Sequence, residues 1–323
     1  MTGYIIRRLI ALFFVLFAVA TVVFFLMNAV PGGPFSLGER GYDAVALANL
    51  QRKYGLDIPV FQRYINYLIS VLHLDFGYSF AVPGQPTVIS VILRTWPVTL
   101  QVGVYTIVVS FGIGLIMGIV AAYRRNSWID NLVTFTATLG ITLPNFIVAS
   151  LLLLIFGYQN GWGDPKKWII APLWPNGPAL LSWDYFLPVI TYALAPLALV
   201  ARYTRSSVAD ALGADYIRTA RAKGLSERAI MVRHVMRNAL IPMITVLLPQ
   251  IPNLLTGSIF IEVVFGIPGL GKFFVTSIFS HDYPMIMGLV LLIAFFWGIT
   301  YLITDILYTL IDPRVRISGS GIS

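Results

Sequence analysis

Several long apolar runs constrain this chain more than any other feature of its sequence. A helix needs about 20 mainly apolar residues to cross the hydrocarbon core of a bilayer. The first run, residues 9–30, is longer than the apolar region of a cleaved signal peptide, so we expect it to be a permanent anchor. Further spans are predicted at residues 98–122, 132–157, 185–206, 240–262 and 285–311.

These runs predict an all-α integral membrane protein with six transmembrane helices. Prolines interrupt two of the spans. Pro188 and Pro196 weaken the assignment of the fourth span, and the fifth is expected to be kinked because it contains Pro242, Pro249 and Pro252. Neighbouring helices can satisfy the carbonyl groups that such prolines leave free.

The composition excludes soluble and disulfide-stabilised proteins. Charged residues make up 11% of the 323 residues, whereas soluble domains contain about 25%. The sequence has no cysteine, so disulfides are excluded and zinc and iron–sulfur sites lack their usual ligand. The histidines His73, His234 and His281 are scattered and show no metal-ligand spacing, so no metal or other cofactor is expected in this chain.

The net charge of +8 is explained by membrane topology rather than by nucleic-acid binding. Cytoplasmic segments of membrane proteins carry an excess of Lys and Arg. With both termini in the cytoplasm, the inside segments hold most of the 22 basic residues. These residues are Arg7, Arg8, Arg124, Arg125, Arg202, Arg205, Arg218, Arg221, Lys223, Arg228, Arg233, Arg237, Arg314 and Arg316.

Two long connecting segments and a C-terminal tail complete the predicted organisation. Residues 31–97 mix polar and aromatic residues and are expected to form an extracytoplasmic cap. Residues 159–184 are rich in tryptophan, which favours the membrane interface, so this segment is placed at the outer surface. Residues 312–323 are expected to be a cytoplasmic tail.

The most charged stretch, residues 210–239, lies on the cytoplasmic side of this topology. Arg218 and Arg221 are one helical turn apart, Gly224 is placed to end a helix, and Ser226 can cap the next one. We call this helix–glycine–helix stretch the elbow. It could transmit force from a soluble partner into the fifth span, or it could be a basic helix held by anionic lipid headgroups.

The elbow closely resembles the cytoplasmic loop of binding-protein-dependent ABC importer permeases, in particular the dipeptide/oligopeptide/nickel branch. The resemblance is carried by residues 215–226 and by 237–242 after His234. It extends over nearly the whole chain, and the long outer segment resembles that of the B-type membrane subunit. Further matching segments are residues 6–9, 31–34, 54–57, 201–207, 257–258, 262–265, 268–271, 282–284, 305–308 and 312–314.

The resemblance implies an ABC importer type I permease core over residues 98–311 that carries peptides across the cytoplasmic membrane of a prokaryote. ATP and Mg²⁺ would bind to two partner ATPase subunits, and a second homologous permease and an extracytoplasmic substrate-binding protein would complete the complex. Nickel, glutathione or oligosaccharide cargo stays open. The residues implied to couple to the ATPases are Asp215, Tyr216, Arg218, Thr219, Ala220, Arg221, Ala222, Lys223, Gly224 and Leu225.

The sequence departs from the family pattern at a few positions. The elbow has Arg218-Thr219-Ala220 where generic importer permeases have Glu-Ala-Ala, which is typical of the peptide branch. Gly33 and Tyr301 replace residues that are more often acidic and asparagine, respectively. Neither position lies in the elbow, but both departures leave the identity of the substrate open.

Polar residues within the spans mark a candidate substrate path, because such side chains usually face the bundle interior or a watery cavity. Hydrogen bonds between helices are the alternative. Asp305 and Glu262 would titrate in a proton-coupled secondary transporter, although Asp305 could instead pair with a neighbouring group. The path candidates are Gln101, Thr138, Thr142, Asn145, Gln250, Asn253 and Thr256.

Two motifs have simpler explanations than the functions they suggest. Residues 266–272 fit a phosphate-binding loop up to Lys272, but Phe273 replaces the required Ser or Thr, so a turn at the outer mouth is predicted. Gly114 and Gly118 form a G-x-x-x-G pattern, which predicts close helix packing in the second span.

Overall fold

The computed structural model of the protein describes residues 2–30, 49, 51–52, 55–157, 185–239, 243 and 248–311. These residues are mostly helical, and across the described ranges no strand forms beyond a single bridge between Tyr78 and Thr87. The helical class predicted from the sequence is therefore confirmed for this part of the chain.

Twelve helices are named here in chain order. They are α1 (Thr2–Ala29), α2 (Val60–Leu72), α3 (Val88–Tyr123), α4 (Trp128–Thr142), α5 (Asn145–Leu152), α6 (Phe186–Leu212), α7 (Asp215–Ala222), α8 (Glu227–Ile230), α9 (Gln250–Thr256), α10 (Ile259–Val264), α11 (Leu270–Phe279) and α12 (Tyr283–Ile311). Single π-helical turns, Leu153–Gly157 and Met231–Val235, extend α5 and α8.

Within the part of the chain that the structure describes, four helices are long and apolar enough to cross a membrane. These are α1, α3, α6 and α12, and the bent pair of α4 with α5 makes a fifth if it is counted as one span. Residues 240–242 and 244–247 of the predicted fifth span lie outside the described residues. The part that is described consists of two short helices, α9 and α10, which are separated at Gly257 and Ser258. A count of six spans stays a prediction.

The second span begins earlier than predicted. α3 starts at Val88 rather than at residue 98, and Pro97 lies inside the helix instead of ending the outer segment. Val88 and Ile92 are buried in one apolar cluster with Met285 of α12. Burial of this first part of α3 outweighs the hydrogen bond that Pro97 removes, so the helix does not begin at residue 98 as predicted.

The third span also differs from its prediction as a single helix over residues 132–157. α4 and α5 are bent by 99° at a break next to Pro144. Leu143 is extended, with ψ at 124°, which is the conformation that a following proline favours. The prolines of α6 act differently, because Pro188 lies in the first turn and Pro196 is accommodated in the helix interior.

Glycines bring α3 against α6. A Cβ added to Gly118 would lie 2.6 Å from the carbonyl oxygen of Ala201, and one added to Gly114 would lie 2.8 Å from that of Leu197. Neither helix could keep its position with a larger residue at these sites. The predicted packing role of the G-x-x-x-G pattern is confirmed.

The two ends of the helical bundle can be told apart from these contacts. The first turns of α3 and α12 meet in one cluster that contains Val88 and Met285. α1 runs antiparallel to α12, because Arg8 Nη2 lies 2.8 Å from Asp305 Oδ2. The elbow packs on Ala122 near the last residue of α3. The elbow therefore lies at the end of the bundle opposite to the start of α12.

A buried carboxylate fastens the segment before α3 to the start of α12. Ser79 Oγ donates to Asp282 Oδ2 at 2.5 Å, and the Ala81 N–H donates to the same oxygen at 3.1 Å. Asp282 Oδ1 accepts from the Met285 N–H in the first turn of α12. Asp282 and Ser79 are both fully buried.

Candidate functional site

The elbow has the helix–glycine–helix geometry that its sequence predicts. α7 ends at a turn in which Gly224 has φ of +78°, a backbone conformation that glycine adopts without strain. The Gly224 N–H donates to the carbonyl of Arg221 at 2.9 Å, and the Leu225 N–H donates to that of Ala220 at 3.3 Å. These two bonds form a Schellman motif and confirm the predicted helix end.

Side-chain hydrogen bonds also stabilise the turn at Gly224. Ser226 Oγ accepts the N–H of Ala229 at 3.3 Å, so the predicted cap of the second helix is confirmed. Arg221 Nε lies 2.8 Å from Glu227 Oε1, and a second bond joins Nη2 to Oε2 at 3.2 Å. This guanidinium contact lowers the pKa of Glu227. The two helices are thus joined across Gly224 by backbone and side-chain bonds together.

The inner face of the elbow is apolar and buried. Ile217 and Ala220 of α7 pack with Ile230 and Val235 of the second helix. The same cluster includes Val208 and Val200 of α6, Ala122 of α3 and Met243. The elbow is therefore mounted on two long helices, and displacing it would require those helices to move or the cluster to open.

The outer face carries nearly all the residues predicted to couple to an ATPase. Of those ten, nine are exposed and Ala220 is buried, so Ala220 contributes to packing and cannot touch a docked protein. The exposed surface mixes both signs of charge, including a 3.5 Å contact between Arg218 and Asp215. Tyr216 and Leu225 add exposed apolar area.

Two path candidates on α4 face away from the rest of the chain. Thr138 and Thr142 are exposed, and each hydroxyl donates to the carbonyl four residues earlier in its own helix at 2.8 Å. Gln101 of α3 is buried, and its Nε2 donates to the hydroxyl of Tyr105 at 3.1 Å. Asn145, at the start of α5, is partly buried.

The remaining candidates lie on α9. Gln250 and Asn253 are one turn apart, and the Asn253 carbonyl accepts from the Tyr192 hydroxyl at 2.6 Å. Asn253 and Thr256 line a cavity of about 180 Å³ whose other walls include Leu289 of α12. Of the seven path candidates, the structure brings only Asn253 and Thr256 into this cavity.

A buried acid beside this cavity was left ambiguous by the sequence. Glu262 Oε1 accepts from Thr99 Oγ1 at 2.9 Å, and its Oε2 accepts from the Lys272 N–H at 3.1 Å. Thr99 Oγ1 in turn accepts from the Leu270 N–H at 2.8 Å. The start of α11, where a phosphate-binding loop would hold its nucleotide, therefore holds the chain's own carboxylate.

The glycines of residues 266–271 make room for that carboxylate. A Cβ at Gly269 would lie 2.5 Å from both Glu262 Oε2 and Thr99 Oγ1, and one at Gly271 would lie 3.0 Å from the same carboxylate oxygen. The resemblance to a phosphate-binding loop thus has a packing explanation, in agreement with the predicted turn. The partner Thr99 is distant in sequence, and no local signal pointed to it.

Two ion pairs hold the elbow end of the bundle together. Asp305 pairs with Arg8, the neighbour-pairing role that the sequence allowed for it. Asp130, almost fully buried at the start of α4, accepts from Nε and Nη2 of Arg205 on α6, and from the Asn126 N–H at 2.9 Å. Sequence reasoning missed this second pair. Within the described ranges no three acidic or histidine side chains form a metal site.

Similarity to known proteins extends over nearly the whole chain. Residues 114–317 match the family described as the binding-protein-dependent transport system inner membrane component, and residues 1–103 match its N-terminal domain. The dipeptide transport system permease protein DppB of Bacillus subtilis is 40% identical over 321 residues, covering 99% of this chain and 100% of that protein.

Other relatives are similar over the same extent. DppB of Lactococcus lactis is 38% identical, covering 98% of this chain and all of that protein. The oligopeptide transport system permease protein OppB of Salmonella typhimurium is 35% identical, again covering 98% and 100%. With two matching domains and full-length relatives above 30% identity, the chain belongs to the binding-protein-dependent transport system inner membrane component family.

Proposed function

We propose that this chain is the membrane permease subunit of an ABC importer that moves di- or oligopeptides across the cytoplasmic membrane. ATP hydrolysis on partner subunits would drive the movement. The observation that carries this proposal is full-length similarity, at 35–40% identity, to proteins named as dipeptide and oligopeptide permeases. The chain itself would supply the path and the coupling surface and would not hydrolyse ATP.

The elbow is the proposed docking site for an ATPase subunit. A helix held by lipid would turn its apolar face to the acyl chains, but the apolar face of α7, with Ile217 and Ala220, is already buried inside the chain. The outward face carries both signs of charge together with Tyr216 and Leu225. Such a mixed surface favours a protein partner over a purely anionic lipid surface.

The proposed complex contains this chain, a second homologous permease, two ATPase subunits and an extracytoplasmic substrate-binding protein. ATP and Mg²⁺ would be bound by the ATPase subunits. In this arrangement the elbow and both termini lie in the cytoplasm, six helices cross the membrane, and residues 31–97 form the extracytoplasmic cap. Coupling requires that the two ATPase states bind the elbow with different affinities.

Motion of the elbow would reach the path through the helices on which it is mounted. The elbow shares its buried cluster with Val200 of α6 and with Met243, which precedes α9 in the chain. Tyr192, two turns earlier in α6, donates to the backbone of Asn253. A displacement of α6 would therefore act directly on the wall of the cavity that Asn253 and Thr256 line.

Reconstitution tests the proposed function. The five-subunit complex in proteoliposomes should accumulate a radiolabelled dipeptide only when ATP and the binding protein are supplied on their respective sides. Nickel, glutathione and an oligosaccharide serve as alternative cargoes in parallel vesicles. Peptide uptake by this chain alone in a proton gradient would contradict the proposal and favour a secondary transporter.

Substitution of α9 residues tests the path separately. Asn253→Trp and Gln250→Trp should lower peptide uptake and peptide-stimulated ATP hydrolysis in the assembled complex, because Asn253 lines the cavity and Gln250 lies one turn before it on the same helix. Ser150→Trp is the matched control, since Ser150 is exposed on α5 and donates to its own helix. Unchanged uptake in both α9 variants would remove this helix from the path.

A further inference from the structure

A second cavity, of about 260 Å³, lies at the end of the bundle opposite the elbow. Its walls come from the last turns of α1, from α2 and the residues just before it, from Phe80 and from the start of α12. It shares no described lining residue with the cavity beside α9. The proposed transport function therefore does not account for it.

Three polar atoms around this cavity have no partner among the described residues. They are Arg63 Nε and the hydroxyls of Tyr67 and Tyr283, and all three residues line the cavity. Tyr283 is 7% exposed. Buried polar groups are nearly always hydrogen-bonded, so three orphaned ones around a single cavity indicate a missing ligand.

The charge of these groups defines the ligand. Arg63 is the charged residue of the described lining, which contains no carboxylate. Burial lowers the pKa of Arg63, but a guanidinium stays protonated in proteins. Burial raises the pKa of Tyr67, so its hydroxyl remains a donor. A fixed positive charge together with hydroxyl donors and no acid favours an anion.

Apart from Asn28 and Asn66, the remaining walls are apolar and well fixed. Phe24 of α1 is 4% exposed and stacks on the ring of Tyr67, with centroids 5.4 Å apart. Tyr64 of α2 is bonded to Thr21 of α1 at 2.8 Å, which fixes α2 on α1. Met27 and Met287 add to the apolar lining. A free inorganic anion would leave these surfaces without a partner, whereas an amphiphile would cover them.

The position of the cavity agrees with such a ligand. It lies where α1 ends and α12 begins, which is the depth of the lipid headgroups for two membrane-spanning helices. Its volume is larger than a phosphate ion requires, and it leaves space for an attached glycerol unit. We propose that this cavity binds a phosphate anion that is carried by the headgroup of an anionic lipid.

Native mass spectrometry of the assembled importer tests this proposal. Complexes purified from nanodiscs that contain phosphatidylglycerol should retain this lipid. Arg63→Gln should weaken its binding at least about tenfold, because it removes a charge-assisted hydrogen bond. Tyr283→Phe removes one neutral donor and should weaken binding by a smaller factor. Arg94→Gln, at an exposed arginine of α3, is the control and should change nothing.

Soluble probes identify the source of the phosphate. Dihexanoyl phosphatidylglycerol should raise the melting temperature of the parent complex and not that of Arg63→Gln, while inorganic phosphate should have little effect on either. Equal protection by inorganic phosphate would assign the site to the free ion and overturn the lipid part of the proposal.

If neither probe protects the parent, or if Arg63→Gln responds as the parent does, the anion site is refuted. Arg63→Lys, which keeps the charge, should recover part of the binding and shows that loss in Arg63→Gln is not misfolding. These readouts involve no peptide and no ATP, so their failure would leave the proposed transport function untouched.

Discussion

The turn at Gly224 allows a sharp test of the elbow, because the cost of a side chain there comes from the backbone alone. Gly224 has φ of +78°, and an added Cβ would meet no atom within 4 Å. Placing an L-residue in the left-handed region costs about 1–2 kcal/mol. Valine is strongly disfavoured there, whereas asparagine is tolerated.

This cost would shift the equilibrium between the elbow conformation described above and one in which the bonds across the turn are broken. A change of about 1–2 kcal/mol alters such a ratio by a factor of about 5–30. The Schellman bonds to Arg221 and Ala220 and the Arg221–Glu227 pair all span the turn, so they would be lost together. We expect Gly224→Val to lower peptide uptake several-fold while the chain still inserts into the membrane.

The assay is the number of peptides transported per ATP hydrolysed in the reconstituted complex, with ATPase retention followed by co-purification. Gly224→Asn is the matched control, since it adds a larger side chain than alanine but accepts the same φ. If Gly224→Val kept its ATPases and transported peptide at the parental rate, the elbow would not be the docking site. If Gly224→Asn failed equally, backbone strain would not be the cause.

Three further predictions concern topology, packing and the buried acid. A cysteine at Gln51 should react with a membrane-impermeant thiol reagent in intact cells and one at Ser226 should not; the reverse pattern would invert the proposed orientation. Gly118→Ala should destabilise the helix pair by about 1–3 kcal/mol through overpacking, whereas Gly112→Ala, in open space on the same helix, should not; equal melting temperatures would contradict this. Glu262→Ala should cost about 1–3 kcal/mol, because the buried Thr99 hydroxyl and Lys272 N–H lose their acceptor, and a melting temperature equal to the parent's would show that the carboxylate is dispensable.

Local sequence signals were sufficient to predict the structure of the elbow. The end of α7 and the cap of α8 depend on Gly224 and Ser226, whose effects act within a few residues. Prolines were less informative, because whether a proline bends a helix depends on the packing around it. Pro144 stands at a 99° bend, whereas Pro97 lies inside α3 because the preceding turns are buried against α12. That packing is invisible in the sequence around residue 97.

The candidate path shows the limit of composition arguments. Thr138 and Thr142 were chosen because polar side chains in a span usually turn inward, yet each satisfies its hydroxyl on its own helix and can face outward. The pairing of Glu262 with Thr99 joins residues 163 positions apart. Such contacts depend on how α3, α10 and α11 meet, which no local pattern specifies.

The bond between Ser79 and Asp282 has a consequence for biosynthesis. The two residues are 203 positions apart, so at about 5–20 residues per second the ribosome supplies the carboxylate roughly 10–40 s after the hydroxyl. During that interval the Ser79 hydroxyl and the Ala81 N–H lack the Asp282 carboxylate as their acceptor. Insertion of the final helix therefore completes a loop that was among the first to be translated, and a chain released before α12 would leave that loop open to proteases.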